Sequence, residues 1–151
     1  MQSINFDEGI KTFSINGDEA RVIRINPGDL NLLVRSEEAQ KHIAEYQEQI
    51  KRIPLNSDGT PVDGSEESSD ALRSFNSMMR KELNYIFNAD VYDTVFAGQS
   101  PLCTVGKEKM FLFEAFMLSM MSIIKNEIAE FNAASHCLLY TSPSPRDSTS
   151  S

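Results

Sequence analysis

The chain has 151 residues, 40% of them apolar and 24% charged, and a formal net charge of −8. That length fits one domain on the usual range of about 100–200 residues, and the composition excludes a wholly disordered or collagen-like chain. An acidic chain without a basic cluster is a poor partner for nucleic acid or an anionic membrane surface, so neither is expected.

The N-terminus, MQSINFDEGIKTF, lacks a basic region followed by an apolar run, so no secretory signal is expected there and a cytoplasmic location is. Ile4–Phe6, Thr12–Ile15 and Ala20–Ile25 are short and rich in Ile, Val and Phe, which suits strands. Asn16-Gly17-Asp18 between the last two is a hairpin signal, because Asn and Gly tolerate positive φ. The expected element is a small antiparallel hairpin, with Ile4–Phe6 as a third, edge strand. Alone it is marginal and must pack on helices.

Asn26-Pro27-Gly28-Asp29 then reads as a helix start, with Asn26 as cap, Pro27 in the first turn and Asp29 at the positive end of the dipole. The helix is expected to run to about Ile53, before Pro54. Leu32, Ser36, Ala39, Ile43, Tyr46, Ile50 and Ile53 alternate three and four apart, as in a heptad. The stripe either docks on the domain core or forms a partner-binding coiled-coil face. Pro54–Ser69 is polar and acidic and is expected to be a flexible linker, longer than the usual connection of about 2–8 residues. It fails as a calcium loop: with Gly59 in the sixth position, Pro54 and Ser65 occupy the first and last.

A second helix is expected from Asp70 to Phe87, capped by Ser69 or Asp70. Leu72, Phe75, Met79, Leu83 and Ile86 share one face. Asn88-Ala89-Asp90 breaks it. Val91–Ala97 reads as a helical turn or two closed by Gly98, with Val91, Tyr92, Val95 and Phe96 inward. Gln99–Lys107 reads as a loop. The last helix is expected over Glu108–Phe131, with Phe113, Phe116, Met117, Met120, Ile124, Ile128 and Phe131 in one stripe. Met110, Leu112, Met121 and Ile123 widen it to almost all-round apolar, the mark of a central helix or one shared with a partner. Its apolar run, Met110–Ile124, is shorter than the roughly 20 residues of a membrane span and contains Glu114. Its methionines either fill core gaps or form an adaptable binding surface. The fold class is therefore α+β, mainly α: a small N-terminal antiparallel hairpin or sheet packed on about three to four helices.

The last fifteen residues stand apart. Cys137–Asp147, CLLYTSPSPRD, back-translates in one continuous frame into a transposase-type sequencing adapter, and Ser150-Ser151 fit the same register. Residues 137–151 are therefore read as a non-native, disordered tail, and 1–136 as a single domain cut short of its true end. His136, at the junction, is doubtful too. Cys103 is then the one authentic cysteine, so neither a disulfide nor a structural zinc site is expected.

Chemistry is sparse. Gly106-Lys107 fails as a phosphate loop, because Glu108 replaces the Ser or Thr and Pro101 replaces the first Gly. Cys103 and His42 are the remaining candidates for a thiol nucleophile and base, but His42 lies among charges and reads as a surface residue. Glu37-Glu38 and Glu66-Glu67 read as solvated surface. No catalytic, cofactor-binding or metal residue stands out, no cofactor is implied, and no enzyme is expected.

Two stretches together carry a resemblance. FSINGDEARVIRINPGDLNLL leads a hairpin into a Pro-Gly-Asp helix start. ELNYIFNADVYDTVFAGQSPLCTVGKEKMFLFEAFMLSMMSIIKNEI runs from an aromatic helix through a Val-Phe-x-Gly turn and a Pro-containing loop into an apolar helix. The combination resembles small tail assembly chaperones of tailed phages and prophages from Gram-positive hosts, over most of Phe13–Glu130 apart from the linker. The resemblance implies a non-virion protein, encoded between the major tail and tape measure proteins. Such proteins coat the helical tape measure until the tail tube polymerises, and are often also made in a longer frameshifted form. On that reading the partner is a tape measure protein, bound helix-in-groove through Phe113, Phe116, Met117, Met120 and Met121. The alternative is a small acidic structural or adaptor protein that self-associates through the Leu32–Ile53 face.

Overall fold

The computed structural model describes the backbone of residues 1–141 and the side chains of residues 1–134. β1 (Lys11–Ile15) and β2 (Asp18–Ile25) form the expected antiparallel hairpin. Its turn holds Asn16 at φ 52° and Gly17 at φ 78°, the paired left-handed conformation that Asn-Gly supplies. Phe13 faces Ile23, but the register shifts after Ser14, so that Ile15 faces Asp18. The alternation in β2 reads as imperfect because Val22, though apolar, lies on its outer face. Ile23 and Ile25 enter the core while Val22 and Arg24 face outward. The third strand expected at Ile4–Phe6 does not form: residues 1–10 carry no strand, and Ile4 and Phe6 are 90% and 72% exposed. Asp7 Oδ1 accepts the Gly9 N–H at 2.8 Å, and the Glu8 carbonyl accepts from Asn26 Nδ2 at 3.1 Å. These bonds lead the segment toward β2 rather than back along β1.

α1 (Leu30–Ile50) is capped by Asp29, whose carboxylate accepts the Asn31 N–H at 3.0 Å. Asn26 is not the cap; its side chain closes the preceding turn onto Gly28 N–H instead. Leu32, Ser36, Ala39, Ile43 and Ile50 are buried, and Ser36 Oγ satisfies itself on the Leu32 carbonyl. The stripe therefore docks chiefly on α2, within the chain, and is not a free coiled-coil face. Two of its expected members differ: Tyr46 is at the exposed rim, and Ile53 follows the helix end, half-buried.

Residues 54–65 hold more structure than their polar composition suggests. Leu55 bridges Pro61, Asn56 N–H donates to the Thr60 carbonyl, and Thr104 N–H donates to the Ser57 carbonyl at 2.9 Å. Buried Gly59, at φ +86°, sits where an added Cβ would come within 2.7 Å of Ser100 Oγ, so the turn docks on the loop before α4. α2 (Glu66–Phe87) accordingly starts earlier than expected. Ser65 caps it, accepting the Ser68 N–H at 3.1 Å, and Glu66 and Glu67 occupy the positive end of its dipole. Asn88, at φ 52°, ends it.

α3 (Tyr92–Phe96) is too short to stand alone and is held at both ends by side chains from elsewhere. Asn84 Oδ1 accepts the N–H groups of Val91 and Tyr92, and Arg21 donates to the Thr94 and Val95 carbonyls at 2.9 and 2.7 Å. β3 (Thr104–Val105) and β4 (Met110–Phe111) make a small hairpin where a helix start was expected. Met110 is thus a strand residue, and α4 begins at Leu112, where the carbonyls of Cys103 and Pro101 accept the N–H groups of Leu112 and Phe113.

α4 (Leu112–Thr141) passes Phe131 and reaches into the segment read as adapter-derived; the tail from residue 142 onward lies outside the described residues. One apolar cluster joins β2, α1, α2, α3 and α4, with Phe75, Met79, Leu83, Ile86 and Ile124 fully buried at its centre. The α+β, mainly α class follows directly. No helix among the described residues is long and apolar enough to cross a membrane.

Candidate functional site

α4 supplies the five residues singled out from sequence. Phe113, Met117, Met120 and Met121 are buried, and Phe116 is half-buried. Phe113 packs its ring on Phe75 of α2 at 5.2 Å between centroids, and Phe116 meets Phe96 of α3 at 6.4 Å. They are core residues first. They do not form one surface either, because the helix turns them toward two different flanks.

On one flank, α4 and α1 leave a groove of about 240 Å³. Phe113, Met117 and Met121 form its floor, Ala44 and Gln40 its α1 wall, and Leu118 its outer rim. Leu118 is 62% exposed, the most open large apolar side chain of the helix among the described residues. Glu114 and Gln47 lie across it, with Gln47 Nε2 donating to Glu114 Oε2 at 3.3 Å. On the other flank, Phe116 and Met120 floor a cleft of about 280 Å³ beneath the hairpin, alongside Phe13, Ser14 and Ile15 of β1 and Asn16 of the turn. Leu118 lies outside the stripe that the sequence shows, because that stripe follows one face of the helix. Its signal is that it is apolar and lies off that face, where a solvated helix carries polar residues.

A second feature lies between α1 and α2. His42 Nδ1 donates to Glu82 Oε1 at 3.0 Å. The imidazole is 54% exposed while the Glu82 side chain is 9% exposed, so a buried carboxylate orients an open ring. That hydrogen bond, then the carboxylate's charge, raises the His42 pKa above its ordinary value. The pair borders an open groove of about 700 Å³ that also holds Arg73, Lys81 and Tyr46. His42 is therefore more than a solvated surface residue. Glu82 was legible as a carboxylate three residues beyond Met79, on α2's apolar face. Cys103 is not its partner: its thiol donates to the Asp58 carbonyl at 3.3 Å. Among the described residues no group of three or more His, Cys, Asp or Glu side chains stands where it could hold a metal ion.

Comparisons with known protein families, characterised proteins and solved structures found no match.

The arrangement offers apolar recesses with sparse polar rims. Flexible thioethers line both sides of α4, and such side chains adapt to varied apolar shapes. The α1–α4 groove is flanked by two helices, and an amphipathic helix laid between them would contact both walls with its apolar ridge.

Proposed function

We propose that this chain is a tail assembly chaperone-like protein of a tailed phage or prophage, which binds apolar helical segments of a tape measure protein in the host cytoplasm. The observation that carries the reading is the α1–α4 groove, with Phe113, Met117 and Met121 as floor and exposed Leu118 at the rim. Helix-in-groove recognition needs an apolar channel of this kind, into which residues spaced three and four apart can fit. The net charge of −8 keeps such a complex in solution while the client's apolar faces are covered. The sequence resemblance over Phe13–Leu33 and Glu82–Ile128 supports the same assignment. Phe116 and Met120, on the opposite flank, take no part in this groove.

The test is co-expression with a tape measure fragment. The wild-type chain is expected to keep the fragment soluble. Leu118→Asp changes an exposed position and is expected to leave the fold intact, with a loss of stability within about 0.5 kcal/mol, while the fragment precipitates. A folded Leu118→Asp variant that solubilises the fragment as well as wild type contradicts the reading. Met117→Asp is unsuitable, because Met117 is buried and its charge would unfold the protein.

A further inference from the structure

The chain carries two uncovered apolar features that complement each other. The first is the N-terminal arm, residues 1–10, on which Met1, Ile4 and Phe6 stand exposed. Ile4 and Phe6 are two apart, so an extended arm presents both on one face, with Asn5 on the other. The second is the free edge of β1. Among the described residues β1 pairs with β2 alone, and its Phe13, Ser14 and Ile15, followed by Asn16 of the turn, border the cleft floored by Phe116 and Met120. A bare strand edge above an apolar recess is the geometry that accepts an added strand. Backbone pairing supplies the attachment, and alternate side chains fill the recess.

The chain's own arm is directed elsewhere. The Asp7–Gly9 turn, with Gly9 at φ +70°, the bond from Asn26 to the Glu8 carbonyl, and the Arg24–Glu8 pair at 3.9 Å fix its root beside β2. Ile10 accordingly lines the recess on β2's side, together with Val22 and Arg24. To reach its own β1 edge the arm would have to break these bonds and reverse direction. No such reversal is required to reach another molecule, and the six residues ahead of that root span about 20 Å when extended.

We propose that the arm of a second copy occupies this cleft. Ile4–Phe6 of one protomer pairs with β1 of the other as a third strand and seats Ile4 and Phe6 over Phe116 and Met120. The exchange is reciprocal, so it closes as a two-fold dimer and leaves no free arm. It also completes the hairpin as a three-stranded sheet, which two strands in water do not achieve stably by themselves. The occupant is a second copy because the complementary segment, apolar and uncovered, belongs to the same chain. The dimer does not involve Leu118, so it stands or falls apart from the client-binding groove.

Sedimentation velocity of the full chain across a concentration series tests this. Wild type is expected to shift from monomer to twice that mass. The Ile4→Asp/Phe6→Asp variant is expected to remain monomeric with an unchanged circular dichroism spectrum, since both positions lie outside the core. A second measurement fixes the site. In a Cys103→Ser/Cys137→Ser background, Phe6→Cys protein mixed with Ser119→Cys protein is expected to give a disulfide-linked heterodimer on oxidation. Wild type that stays monomeric throughout overturns the proposal. So does a double aspartate variant that dimerises like wild type, or a mixture that fails to cross-link.

Discussion

α2 and α4 are both long helices with strong apolar stripes, and they dispose of those stripes differently. α2 buries Leu72, Phe75, Met78, Met79, Leu83 and Ile86, and its exposed aromatic, Tyr85, donates its hydroxyl to Glu38 at 3.0 Å. α4 buries as well, yet it leaves Leu118, Ile123 and Phe131 at 62%, 37% and 45% exposure. A helix whose apolar residues all find cover inside the chain is explained by folding alone. A helix with more apolar surface than its own chain covers has a remainder, and that remainder is where a partner is to be sought.

The largest expected effect breaks the sealed side. Phe75 is fully buried against Phe113, and Phe75→Ala is expected to cost about 3–5 kcal/mol in urea denaturation. Leu118→Ala on the open side should move the same midpoint hardly at all, and a comparable loss there would erase the distinction between the two helices. Arg21→Ala comes next. It removes two bonds to the carbonyls that end α3, beside the cleft under the hairpin, and is expected to cost about 1–3 kcal/mol. Ser65→Ala removes the cap that starts α2, and should lower stability by about 1 kcal/mol.

The smallest effect is a slope with pH. The folded state raises the His42 pKa above the ordinary value of 6.5, chiefly through its bond to Glu82. Folding therefore favours the protonated ring. The contribution is fully present below the unfolded value and is lost as pH rises through the higher folded value. Urea midpoints should fall with rising pH across that window, and Glu82→Gln should flatten the slope. A wild-type slope of the opposite sign would mean that folding favours the neutral ring, so that the bond to Glu82 does not outweigh the partial burial of the imidazole.

Local signals carried much of the fold. Asn16-Gly17 announced the hairpin because few other pairs adopt two positive φ values. The stripe from Leu72 to Ile86 announced α2, because a period near 3.6 has no other use in an amphipathic run. Positions that depend on distant contacts were not legible. Ile4–Phe6 has strand composition but no strand, because the Asn26 side chain, far along the sequence, sets the direction of its root. Residues 54–65 read as solvent-loving, yet Gly59 is buried by Ser100 and Leu102, a contact that composition does not encode. At the candidate site, periodicity placed Phe113, Phe116, Met117 and Met120 on one stripe, with Met121 widening it. It did not reveal that neighbouring elements divide that stripe into two recesses, nor that Leu118 outside it would be the exposed member. Glu82 stands out as a carboxylate on α2's apolar face, but its pairing with His42 was hidden for the same reason: a pair on two helices has no sequence spacing.

Amide hydrogen exchange on the full chain, with and without a soluble tape measure helix, tests the central claim most directly. Added protection is expected on α4 around Phe113–Met121 and on α1 around Gln40–Gln47, on the two walls of the groove. Protection confined to the α2 surface around Arg73–Glu82, or no added protection despite binding, would contradict it.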